Sequence, residues 1–226
     1  MMEWMLSVHN DVARLPALVW QQAWLSTGWS VVVAWLGVWM LSRWSTRQDA
    51  KVVFAVGLAL WVWLPGPWGG THWLGLAFQS PSGVTVLASA LLLARMLWRP
   101  AHMLLTGHLH SPWPVHLFFL AGCGAALGWA LLLDTLGVWP GSLYNWGFGA
   151  MAPAVALLIT ALPWVIAKKA LPRTGVVVVA TAILLFIASG LPTGNLFDAL
   201  IDPWLWVFLQ IALIQQWRHR SPSALR

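Results

Sequence analysis

Apolar residues along this chain come in seven long runs, separated by short clusters of Pro, Gly, Ser, Asp and basic residues. Repeated runs of this kind predict membrane-crossing helices. The first covers about 20–41 and ends at Arg43. The second, 51–64, is started by Asp49 and stopped by Pro65. The third, 82–98, opens at "SPSG", a Ser cap with an early Pro. The fourth, about 115–136, stops at Gly137 and Pro140. The fifth, about 148–167, carries Pro153 and Pro163 and ends at Lys168-Lys169. The sixth, 175–190, stops at Gly190 and Pro192. The seventh, about 203–217, has Asp202 as N-cap and Pro203 at the first helical position. Runs two and six fall short of the roughly 20 residues that cross an apolar layer of about 30 Å. Local thinning or embedded loop segments must supply the difference.

One break does not fit the pattern. "PGPWGGTHWLGLAFQSPSG", from Pro65 to Gly83, is too broken for a helix and too apolar for an ordinary water-exposed loop. Its glycines oppose a stable long helix, and its Trp, Leu and Phe suit the membrane interface. It is expected to dip across one mouth of the bundle, turning His72 and Gln79 toward Asn145 and Asp198. The alternative is a plain belt of interface anchors.

Composition strengthens the membrane reading. The chain is 60% hydrophobic and 8% charged, whereas soluble domains carry about 25% charged residues. The expectation is one transmembrane domain over 1–226, an all-α polytopic bundle of about seven helices. A short outer segment covers 1–17, and a basic cytoplasmic tail covers 218–226. The N-terminal stretch has Glu3 and Asp11 and no basic n-region, so it does not read as a cleavable signal peptide.

A net charge of +6 raises the question of nucleic acid, but the distribution answers it. With seven alternating spans, Arg43, Arg47, Lys51, Arg95, Arg99, Lys168, Lys169, Arg173, Arg218, Arg220 and Arg226 share one side, and Arg14 alone falls on the other. The acids Glu3, Asp11, Asp134, Asp198 and Asp202 fall opposite them, with Asp49 the exception. This is topology control, with N-terminus outside and C-terminus in the cytoplasm of a bacterial-type inner membrane. No nucleic-acid partner is expected.

The 20 tryptophans then read mostly as interface belts, with the ring in the apolar layer and the N–H in the headgroups. Trp20, Trp24, Trp68, Trp73, Trp139, Trp146, Trp204 and Trp206 belong to the outer belt. Trp44, Trp98, Trp113, Trp164 and Trp217 belong to the inner one. Trp35, Trp61, Trp63 and Trp129 sit deeper and are expected to pack between helices.

Candidate chemistry is sparse. No ionisable residue lies near the middle of any run, which opposes a proton pump, a proton-coupled carrier, a retinal-type pigment and a haem held between helix histidines. Gln210 needs a hydrogen-bond partner, expected on another helix. His102, His108, His110 and His116 lie together in "HMLLTGHLHSPWPVH", where imidazoles could hold Zn, Cu or Ni, although no acid or cysteine completes the set. The single Cys123 excludes a disulfide framework. Gly124 and Gly128 form GxxxG beside Ala121 and Ala125, a small-residue face for a helix of this chain, another membrane protein or a second copy. The outer loops gather His72, Gln79, Asn145 and Asp198 as a candidate site.

No nucleophile–base arrangement, nucleotide loop or zinc-protease motif is present, and no cofactor is expected. Two main function classes follow. One is a non-enzymatic scaffold, assembly factor or accessory subunit working through helix packing and its outer face. The other is a small transporter or channel for a neutral or weakly charged solute. An integral-membrane enzyme acting on lipid or quinone at the outer interface is a third. Membrane lipid is the partner common to all.

Overall fold

Helix boundaries follow the breakers closely. The structure, a computed structural model, describes residues 15–98, 115–138, 142–166 and 174–220, and among these it is all-helical. Its elements are α1 (Leu18–Leu41), α2 (Gln48–Val62), a 3-10 turn (Gly66–Trp68), α3 (Gly70–Phe78), α4 (Gly83–Trp98), α5 (Val115–Thr135), α6 (Leu143–Trp146), α7 (Ala152–Ile166), α8 (Thr174–Ser189), α9 (Leu196–Leu200) and α10 (Pro203–Arg220). Seven of these coincide in position with the seven apolar runs. α1 and Leu117–Thr135 of α5 are long and apolar enough to cross a membrane, whereas the apolar segments Gly83–Trp98, Ala152–Leu162 and Thr174–Ser189 are shorter.

Pro65–Gly83 corrects the expectation of an unwound stretch. It winds into the 3-10 turn and the nine-residue α3. Isolation would disfavour so short a helix, but tertiary packing outweighs propensity. α3 lies on α1 and α2. Gly75 allows this approach, since a Cβ there would stand 3.1 Å from Leu25.

α1 packs chiefly on α2 and α4. α4 passes to α8 and α9, and α8 also meets α5 and α7, while α10 closes on α5. The buried residues are mainly small or β-branched: Val32, Ala34 and Val38 on α1, Ala182 and Ile183 on α8. Small side chains bring helix axes close, and the larger apolar side chains face outward. Trp61, Trp63 and Trp129 each keep an exposed edge, and Trp129 packs edge-on to Trp206 of α10 with ring centres 5.1 Å apart. Among the described residues Trp29 is the buried tryptophan, packed with Val32 and Val62.

Side chains from other helices hold both ends of α4. Asp202, 8% exposed, accepts from the Ser82 N–H at 2.9 Å, the Thr85 hydroxyl at 2.6 Å and the Leu205 N–H at 2.8 Å. One carboxylate therefore satisfies free donors at the starts of both α4 and α10, where the two helix dipoles favour negative charge. At the other end, the Gln48 amide donates to the Met96 and Leu97 carbonyls in the last turn of α4. Lys51, one turn further along α2, is 1% exposed.

Candidate functional site

The loops joining the starts of α4, α7 and α10 to the ends of α2, α5 and α8 are knit together by carboxylates. Asp134, at the end of α5, accepts from the Leu143 and Tyr144 N–H groups at 3.0 and 2.9 Å. It thereby joins Ser142, whose hydroxyl caps α6. Asp198 accepts from the Tyr144 hydroxyl at 2.7 Å and from the Thr193 hydroxyl. Asn195 is fully buried, donates to the Tyr144 carbonyl at 2.9 Å and accepts from the Phe197 N–H at 2.8 Å. Burial, and then the neighbouring Asp198 carboxylate, push the Tyr144 phenol up to about 12. Both effects oppose the phenolate. The phenol is therefore a donor at any ordinary pH.

Indole N–H groups join the same framework. Trp24 donates to the Pro81 carbonyl at 3.1 Å, Trp29 to Gln79 at 2.8 Å and Trp73 to Pro67 at 2.7 Å. Trp24 and Trp73 were expected to point their N–H groups at headgroups. The Pro-rich breaks free backbone carbonyls that a helix would have used, and these carbonyls take the indoles instead. Trp206 likewise donates to the Ala125 carbonyl on α5 at 3.2 Å.

The four outer candidates divide between two places. Asp198 lies in the Tyr144–Thr193–Asn195 network, with Asn145 exposed on its flank. His72 lies elsewhere, on α3, edge-on to Trp73 with ring centres 5.2 Å apart. It lines an open groove of about 450 Å³ between α1, the end of α2 and α3. The apolar walls are Leu25, Trp63, Leu64 and Leu76. The polar positions are Gln22, Ser26, Thr71 and His72. Gln79 serves through its backbone: its carbonyl holds Trp29, and its φ of +58° puts a non-glycine residue in a strained region. The expected facing of His72 and Gln79 toward Asn145 and Asp198 is thus replaced by two separate sets of contacts. The direct bridge from α3 to the α10 side is a ring contact, Phe78 to Trp204, at 4.8 Å.

The packing candidates resolve within the chain. A Cβ at Gly124 would meet Leu209 at 2.7 Å, and one at Gly128 would stand 2.6 Å from the Trp206 indole nitrogen. At Gly124 and Gly128 the small-residue face packs against α10 of the same chain. Gln210 is a further correction. Its amide donates to the Trp206 carbonyl, 3.4 Å away on its own helix, because the helix turn itself supplies the nearest acceptor. His102, His108 and His110 lie outside the described residues, as does the side chain of His116. Among the described residues, no group of three His, Cys, Asp or Glu is placed to hold a metal.

Sequence reasoning missed Lys51 as a buried group and Gln22, Ser26 and Thr71 as groove residues. Gln22 did carry a signal, since Gln21-Gln22 interrupts an otherwise apolar run. No protein-family model, curated protein or solved structure matches the chain.

Proposed function

We propose that this is a multi-pass inner-membrane protein of seven spans, N-terminus outside and C-terminus cytoplasmic, acting without catalysis as a scaffold, assembly factor or accessory subunit. The observation that carries this reading is the use of the carboxylates at the loop-rich end. Asp134, Asp198 and Asp202 are all engaged in holding helix starts and loops together. Such a crown is a preorganised surface, which suits recognition, because little order remains to be imposed on binding. Asn145 and Trp146 stand exposed on it, and an exposed Trp is a common anchor for a protein partner.

Apolar exposure supports the multi-pass reading. The shorter helices carry large exposed side chains as the two long ones do: Leu158 and Ile159 on α7, Leu184 and Ile187 on α8. Each would gain roughly 1.5–3 kcal/mol by leaving water, so lipid is the surrounding they suit. Helices of 15–16 residues reach only about 22–24 Å. The apolar loops at the crown extend that reach, and local thinning does the rest. A continuous polar path from Gln210 to the loop-rich end would favour the transporter, whereas the Gln210 amide donates to the Trp206 carbonyl of its own helix.

Topology and function are tested separately. Cysteine at Ser142 should react with an impermeant reagent from outside, and a reporter after Arg226 should be active in the cytoplasm. Labelling of Ser142→Cys from the cytoplasmic side would overturn the orientation. Purification in mild detergent should retain a stoichiometric membrane partner that crosslinks to Asn145→Cys. A lone chain that mediates solute flux in proteoliposomes would replace the scaffold with the transporter.

A further inference from the structure

The groove beneath α3 differs chemically from the crown. None of its lining residues is Asp, Glu, Lys or Arg. The Thr71 hydroxyl donates to the Val62 carbonyl at 2.6 Å and lies 3.3 Å from the Ser26 hydroxyl, so these two polar groups are engaged with the protein. The Gln22 amide and the His72 ring are exposed at the lip, without a hydrogen-bond partner among the described residues. Leu25, Leu76 and Trp63 form an apolar trough beside them. The groove is open, and its lining residues Trp63, Leu64 and Leu76 are themselves exposed, as is Trp73 beside His72.

We propose that this groove seats one diacyl phospholipid of the outer leaflet. Its ester carbonyls would accept from Gln22 and His72, and one acyl chain would lie along Leu25, Leu76 and Trp63. Three features select this occupant. The polar pair can donate to uncharged carbonyls, whereas a phosphate-binding site would need the basic residues that the lining lacks. An open trough fits a chain lying along it better than a ring that must be enclosed. Its exposed Trp and Leu lining places the polar pair where a lipid changes from ester to acyl chain. A seated lipid would also cover the side of α3 left open by α1 and α2. The inference rests on the reading of the loop-rich end as the outer membrane interface, and it does not require the protein partner.

The test uses the full chain in nanodiscs of phosphatidylethanolamine carrying a photoreactive group on one acyl chain, with labelled peptides mapped after irradiation. Labelling should concentrate on Leu25 and Leu76. The double variant Gln22→Leu/His72→Leu loses two hydrogen bonds, which should lower that labelling and the lipid retained in native mass spectrometry by roughly tenfold. Gln215→Leu, at an exposed glutamine on α10, should leave both unchanged. Labelling spread over the exposed faces of α5 and α8, with no preference for α3, would overturn the seat while leaving the membrane reading intact. No labelling on any helix would overturn both. Displacement of the label by a short-chain quinone at equimolar lipid would reassign the groove to a quinone and reject the phospholipid.

Discussion

Replacing Asp202 by Ala removes one side chain and uncaps two helices. Three donors lose their acceptor: the Ser82 N–H, the Thr85 hydroxyl and the Leu205 N–H. Loss of a cap costs about 1 kcal/mol per helix, and loss of a carboxylate from a helix N-terminus costs about 0.3–1 kcal/mol more. For α4 and α10 together the expected loss is roughly 2–4 kcal/mol, since the site is too buried for water to replace the carboxylate fully. In a chain of this size each kcal/mol moves the midpoint by about 2–4 °C, so a fall of about 4–16 °C is expected. The assay is thermal unfolding in a mild detergent, read by exposure of Cys123 or by loss of monodisperse protein. Asp202→Asn should fall between wild type and Asp202→Ala. An amide keeps one acceptor for Leu205 but presents a donor to the Ser82 N–H. Thr85→Ala should add less to Asp202→Ala than it costs alone, because both remove the same contact. A midpoint for Asp202→Ala within about 1 °C of wild type would refute the double-cap reasoning.

Four further outcomes follow from the same geometry. Gly128→Leu should overpack the α5–α10 contact at Trp206, cost about 1–3 kcal/mol and be partly rescued by Trp206→Ala in the same melt. An unchanged midpoint would mean that the helices part freely. Gln79→Gly should raise the midpoint, since it removes strain of order 1–3 kcal/mol at φ +58°; a fall would show that the Gln79 side chain itself holds α3. Lys51→Met should also stabilise. Its side chain is 1% exposed and has no hydrogen-bond partner among the described residues, and replacing an unpaired buried polar group by an apolar one of similar shape is neutral or stabilising. Destabilisation would show that nearby carbonyls bind the side chain. Finally, the protonated Tyr144 phenol is favoured in the fold, so its contribution is complete below about pH 10, the free phenol's value. It is lost as pH rises through about 12. Tyr144→Phe should remove that alkaline component from a pH series of melts, and an identical pH series would sink the assignment.

Much of the fold was legible along the chain because helix starts and stops are local chemistry. Asp202 before Pro203, the Ser cap before α4, and Gly137 and Gly190 after α5 and α8 mark boundaries through backbone donors, missing N–H groups and positive φ. The apolar runs likewise announced the helices, since their composition is a property of each segment alone. What each polar side chain touches was not legible. That Asp202 also caps α4, from 120 residues away, depends on two helix starts meeting. Asp198 finding Tyr144, and His72 and Gln79 parting from Asn145 and Asp198, likewise depend on which loops the packing brings together. The strongest reversals came at Gln210 and at the segment 65–83. Gln210 found its acceptor one turn back on its own helix. In the segment, packing on α1 and α2 wound a glycine-rich stretch into α3, because contact energy with neighbouring helices outweighs the weak local preference of so few residues.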